Sequence, residues 1–258
     1  MLKLEGLSKH FGGVRAVDGV DLDIRENEIF GLIGPNGSGK STIINLITGL
    51  LPPTAGRVVL AGRDLTPLAM HARAQVGIGR TFQNIRLFGN LTVAQNLWVA
   101  GNGAEQRQER FLIRWLRPNG DRSAEIEEIL RFARLLSKRD TLAANLSFGE
   151  MRRLEMARAL AGRPNILLLD EPAAGMSMEE ADMLAERIRA VRDRGITVLL
   201  IEHMMELVMG ISDRVAVLNF GRKIAEGTPA EVQDDPEVRA AYLGSGSKRQ
   251  MPTEAANA

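Results

Sequence analysis

Residues 34–41 read Gly34-Pro35-Asn36-Gly37-Ser38-Gly39-Lys40-Ser41, directly after the apolar run Glu28–Ile33 and directly before an Ile- and Leu-rich segment reaching about Gly49. A strand, a glycine-rich turn and a helix follow one another here, and the turn fits G-x-x-x-x-G-K-[ST]. The glycines let the backbone curl until consecutive N–H groups point at one spot. The start of the following helix adds about half a positive charge at the same spot. A chain of phosphates suits those groups. Lys40 is placed to reach β- and γ-phosphates, the Ser41 hydroxyl to ligate Mg²⁺, and Thr42 closes the set.

The rest of the chain supports an α/β fold. In the first eighty residues, β-branched runs at Val17–Ile24, Arg57–Leu60 and Gly77–Phe82 are separated by turn signals at Gly12-Gly13, Pro52-Pro53 and Gly62. From Leu91 to Gly162 the apolar spacing is helical. Glu125–Leu136 places Ile126, Ile129, Leu130 and Ala133 on one side. Ser147 opens another helix with Glu150 three residues on, a capping box, and Gly162 with Pro164 stops it. A buried strand Ile166–Leu169 leads into a helix Met178–Arg194 that buries Ala181, Leu184, Ala185, Ile188 and Val191 and is closed by Gly195. A second buried strand, Thr197–Ile201, is followed by a helix and by strands Arg214–Leu218 and Lys223–Ala225. Alternation of this kind predicts parallel strands joined by right-handed crossovers.

Whole-chain properties narrow the partners. The 258 residues suffice for one large α/β domain or two small ones. A net charge of +1 with no basic stripe gives no expectation of nucleic acid. Cysteine is absent, which excludes disulfides and thiolate metal sites. The longest apolar runs, such as Ile166-Leu167-Leu168-Leu169, fall far short of the ~20 residues of a membrane span. Met1–Glu5 lacks the apolar core of a secretory signal, so any membrane role is expected to be peripheral.

Two further groups join the phosphate loop. Asp170 and Glu171 follow the strand Ile166–Leu169; Asp170 is the candidate Mg²⁺ holder and Glu171 the candidate base for an attacking water. His203 follows the strand Thr197–Ile201 and is read as a γ-phosphate contact, whereas His10 and His71 are read as surface residues. Gly34, Asp170 and His203 thus all lie beyond carboxyl ends of predicted parallel strands, where open α/β sheets bind ligands.

The segment Leu146-Ser147-Phe148-Gly149-Glu150, continuing Arg152-Arg153-Leu154-Glu155-Met156-Ala157-Arg158-Ala159-Leu160, resembles the signature motif of ABC transporter ATP-binding subunits, and the resemblance extends from about Leu2 to Gly244. It implies a P-loop NTPase fold with a RecA-like parallel-sheet core, an N-terminal antiparallel β-subdomain and an inserted α-helical subdomain at about 88–162, in one ATPase domain spanning 1–244. Residues 245–258 are small and polar, and are expected to form a disordered tail. It also implies ATP and Mg²⁺ as ligands, and a dimer in which Ser147, Gly149 and Glu150 of one subunit face the γ-phosphate held by the other. Gln83, in Thr81-Phe82-Gln83-Asn84, resembles the glutamine that contacts Mg²⁺ or water and senses the membrane partner. Phe11 resembles the aromatic that stacks on adenine, with ordinary core packing as the alternative.

Phe148 replaces the first glycine of the signature pair, and Ser177 stands where an aspartate is usual, although Ser177 with Glu180 still forms a capping box. Both departures are shared with the ATPases of branched-chain (hydrophobic) amino-acid importers, which this chain also resembles at Ala173-Ala174-Gly175-Met176 and Ile201-Glu202-His203-Met204. The implied role is to energise import of a small solute from the cytoplasmic face of the inner membrane. The implied partners are a second ATPase subunit, identical or paralogous, transmembrane permease subunits and, indirectly, a solute-binding protein. A lipid or polysaccharide exporter ATPase and a soluble non-transport ABC protein are the alternatives. Phe111–Trp115 either packs internally or helps to dock the permease.

Overall fold

The computed structural model describes residues 1–81, 85–105 and 120–244. Gln83, Phe111–Trp115 and the 245–258 tail lie outside the described residues.

Two sheets organise the chain. The first contains β1 (Leu2–Phe11), β2 (Val14–Ile24), β4 (Ala55–Leu60) and β5 (Arg63–Asp64), all antiparallel in the order β2-β1-β4-β5. The second has the order β10-β9-β3-β8-β7-β6, built from β3 (Ile29–Ile33), β6 (Ile78–Arg80), β7 (Ile166–Asp170), β8 (Thr197–Ile201), β9 (Arg214–Asn219) and β10 (Arg222–Gly227). Strands β9, β3, β8, β7 and β6 run parallel, as the alternating pattern predicts, and β10 pairs antiparallel on β9.

Strands β3, β7 and β8 are buried along their whole length, which explains why they read as unbroken apolar runs. Side chains alternate between the two faces. Phe30, Leu32, Leu168 and Leu199 pack with helix α1 (Lys40–Thr48) and the antiparallel sheet, and the short helix α2 (Met70–Gln75) leads into β6. On the other face, Ile29, Ile33, Leu167, Leu169, Val198 and Leu200 pack against α6 (Met178–Arg192) and α7 (Met205–Ile211). A third core lies among α3 (Val93–Glu105), α4 (Gly120–Phe132) and α5 (Phe148–Ala161), around Val93, Leu97, Leu130, Leu135 and Leu154.

Strand β1 has no counterpart among the predicted strands. Its core contacts Leu2, Leu4 and Leu7 break the period of two, because Gly6 sits at φ 54 and the pairing shifts register between Leu4 and Leu7. The helix predicted over Glu125–Leu136 ends four residues earlier, at Phe132. Arg134 turns left-handed at φ 54, and the Leu135 N–H closes back on the Leu130 carbonyl at 2.8 Å, a Schellman end that still buries Ala133 and Leu135. At the end of α5 the left-handed residue is Arg163 rather than Gly162, which stays in the α region.

The predicted capping boxes form at Ser147/Glu150 and Ser177/Glu180, and a third at Thr228/Glu231 opens α8 (Pro229–Asp234). The backbone N–H of each cap residue holds its glutamate below the usual carboxylate range. Stability from these bonds is therefore complete above an ordinary glutamate pKa of about 4.3 and is lost as pH falls through the depressed values. Glu180→Gln is expected to lower the thermal midpoint at pH 7, with the gap to the parent closing towards pH 3. A gap independent of pH in circular-dichroism melts would contradict this origin.

Candidate active site

The phosphate loop leaves β3 in the interior of the parallel sheet, between β9 and β8. At Gly34 (φ 149) a Cβ would sit 2.2 Å from the Leu218 carbonyl oxygen; at Gly39 (φ 108) one would sit 2.4 Å from that of Ala16. Both positions are closed to any side chain, so neighbouring backbone fixes the loop's path. Ser38 donates its N–H to the Pro35 carbonyl at 3.1 Å, and α1 starts at Lys40 with no side-chain cap and no acidic residue in its first turn. Its first N–H groups remain available to an anion. Asn36, Gly37 and Ser41 are exposed, Pro35 and Thr42 half-buried.

Lys40 is buried, and its Nζ donates to the carbonyls of Gly34 (2.7 Å) and Pro35 (2.9 Å). Burial lowers its pKa, while Glu171 and Asp170 act in the opposite direction. Asp170 ends β7, one strand removed from β3, and Glu171 follows it. Burial raises the pKa of Asp170, opposed by the Arg80 guanidinium, whose Nη2 donates to Asp170 Oδ2 at 3.1 Å. Arg80 also donates to Asn45 Oδ1 of α1 at 2.8 Å, and so links the strand-end carboxylate to the helix behind the phosphate loop. Glu171 adopts φ 48, a left-handed conformation that a glutamate takes up only at a cost, and its N–H is anchored on the Ile201 carbonyl at 2.9 Å.

His203 lies just past β8, its side chain 61% exposed and Nδ1 3.7 Å from Glu202 Oε2. Glu202 itself is 1% exposed. Its Oε1 accepts the Ala173 N–H at 2.6 Å and its Oε2 the His203 N–H at 3.1 Å. Burial raises its pKa, and these backbone donors, with that of Met204, pull it back. One carboxylate thus fastens the segment after Glu171 to the segment bearing His203.

The fold therefore places Lys40, Asp170, Glu171 and His203 beyond the carboxyl ends of the neighbouring strands β3, β7 and β8. Phe11 stands at the tip of the β1–β2 hairpin, 48% exposed and with Lys9 Nζ 5.2 Å from its ring centre, so it is not a core residue. The signature residues stand apart. Ser147, Gly149 and Glu150 open α5, and among the described residues no hydrogen bond or ion pair joins them to Lys40, Asp170 or His203. Arg80 and Glu202 have no counterpart among the predicted site residues: each sits inside a strand-end motif, and only the fold shows what it touches. For Mg²⁺, the Ser41 hydroxyl and the Asp170 carboxylate are hard oxygen donors of the kind that ion takes.

A strand-fed phosphate loop, a strand-end acidic pair and a capped signature helix define a P-loop nucleotide-binding ATPase. Residues 17–174 match the ABC transporter family, and residues 222–248 match the branched-chain amino acid ATP-binding cassette transporter family. The chain is 44% identical to the high-affinity branched-chain amino acid transport ATP-binding protein LivG of Salmonella typhimurium, over 95% of this chain and 98% of that one. It is 42% identical to BraF of Pseudomonas aeruginosa over 95% and 98%, and 37% identical to the lipopolysaccharide export system ATP-binding protein LptB of Haemophilus influenzae over 96% and 99%. The ADP conformation of MJ1267, an ATP-binding cassette of an ABC transporter, superimposes with a TM-score of 0.81 at 33% identity, covering 95% of this chain and 98% of that one. A dimeric post-hydrolysis cassette bound to ADP and Pi gives 0.75 at 26% identity over 89% and 99%. The chain belongs to the ABC transporter ATP-binding family, as an ATP-hydrolysing subunit.

Proposed function

We propose that this subunit energises import of branched-chain amino acids. The observation that carries this reading is the match of residues 222–248 to the branched-chain amino acid cassette family, beside higher identity to LivG and BraF than to the export protein LptB. In the mechanism we infer, two subunits enclose two ATP molecules. Each site takes its phosphate loop from one chain and Ser147, Gly149 and Glu150 from the other. A site split between chains accounts for the separation of α5 from Lys40 within one chain.

Lys40 and the N–H groups of the loop hold the β- and γ-phosphates. Ser41, Asp170 and Gln83 would hold Mg²⁺, which supplies charge neutralisation at the transferring phosphoryl group. Glu171 accepts a proton from the attacking water, and His203 contacts the γ-phosphate. Phe11 supports the adenine. The helical unit at about 88–162 relays closure to permease subunits, with the chain peripheral at the cytoplasmic face. No helix among the described residues is long and apolar enough to cross a membrane.

Uptake of labelled leucine, isoleucine and valine in source cells carrying either the intact chain or Lys40→Ala tests the cargo. Loss of uptake in the variant alone is the expected result. Loss of a different solute would keep the importer and discard the cargo. Unchanged uptake across a solute panel would favour export.

A further inference from the structure

Helices α5 and α6 flank a cleft that no phosphate-loop residue lines, with a cavity of about 60 Å³. Arg152, Arg153 and Arg187 line it, with Met156 and Met183 as apolar walls. Several observations set this cluster apart from an ordinary surface ion-pair network. The Arg152 side chain is only 10% exposed, yet its Nε has no hydrogen-bond partner, and neither has the buried Nε of Arg153. Their ion pairs are at the outer limit of contact, 4.0 Å from Arg152 to Glu155 and 4.0 Å from Arg153 to Glu150. Among the described residues Arg187 has no hydrogen bond or ion pair.

Burial lowers the pKa of Arg187, and Arg153 and Arg134 lower it further by repulsion, with Glu186 alone opposing them. The acidic groups at the rim are engaged elsewhere: Glu150 and Glu180 each place Oε2 in a capping box. Half-buried guanidinium groups that repel one another, with two Nε donors unpartnered and carboxylates no nearer than 4.0 Å, leave donors open to an anion. Their planar donor forks suit phosphate oxygens, and the cavity has room for one compact tetrahedral ion.

We infer that the cleft between α5 and α6 binds a compact oxyanion of the phosphate class, held by Arg152, Arg153 and Arg187. Such an anion ties the signature helix to α6 and so joins the Ser147 end of one to the Ser177 end of the other. The consequence, a phosphate-dependent brake or aid to subunit closure, rests on the proposed ATPase cycle; the binding itself does not.

The test is phosphate binding to the full-length, nucleotide-free protein, followed by titration calorimetry and ³¹P line broadening. Orthophosphate and glycerol phosphate serve as probes. Lys40→Ala, which disables the phosphate loop, is expected to retain a phosphate site, whereas Arg187→Gln weakens that site by about tenfold or more. In phosphate-free buffer Arg187→Gln is expected to melt at or above the parent temperature, because it removes a repelled cation; Arg153→Gln provides a second variant. Binding of orthophosphate alone would identify the free ion as the ligand. Equal binding of both probes would identify a phosphoryl end group. Loss of all phosphate binding in Lys40→Ala, or parental binding in both arginine variants, would overturn the inference. ATP turnover plays no part in this readout, so its failure is distinguishable from failure of the ATPase mechanism.

Discussion

Glu171→Gln is expected to reduce steady-state ATP turnover by about 10²-fold or more while leaving ATP affinity near the parent value. The amide keeps the size and reach of the side chain but cannot take a proton from water. Lys40, with its Nζ set over the Gly34 and Pro35 carbonyls, and the free N–H groups of α1 are untouched, so the phosphates are still bound. Binding without hydrolysis should trap the closed dimer, visible as ATP-dependent doubling of mass in size-exclusion chromatography. Unchanged turnover in the variant would remove Glu171 from the mechanism.

Glu202→Ala carries the largest expected loss of stability. It leaves the N–H groups of Ala173 and His203 unpaired in a site where Glu202 is 1% exposed. Hydrogen bonds to a charged group contribute about 1.5–3 kcal/mol each, so a loss of roughly 3 kcal/mol is expected. For a domain of this size that is on the order of 10 °C in thermal midpoint. The two segments it fastens carry Glu171 and His203, so turnover should fall further than stability alone requires, with kcat reduced more than KM is raised. Glu202→Gln retains one acceptor but turns a donor towards a donor, and an intermediate loss is expected. A midpoint within about 1 °C of the parent would show that water replaces the carboxylate.

How much of this was legible in the residues follows from the range of the forces involved. The phosphate loop, the strands β3, β7 and β8 and the capping boxes are local: glycine conformations, apolar runs and an acid three residues from a serine act within one or two turns of chain. The same locality placed Lys40, Asp170, Glu171 and His203 at strand ends, and hence near one another once the strands are parallel. Resemblance to a family then supplied the antiparallel sheet and the split site, which periodicity does not encode.

Other features depended on residues far apart in sequence. The bulge at Gly6 hid β1, since it interrupts the alternation by which a strand is recognised. The left-handed Arg134 ended α4 before its apolar pattern did. Arg80 meets Asp170 across 90 positions and Glu202 meets Ala173 across 29, pairs that no spacing rule connects. The arginines of the α5–α6 cleft look like ordinary solvated helix faces until the two helices are brought together. Local preferences and apolar period are written in the chain because they act between near neighbours. Which buried charge meets which partner, and which meets none, is decided only when packing removes water from both.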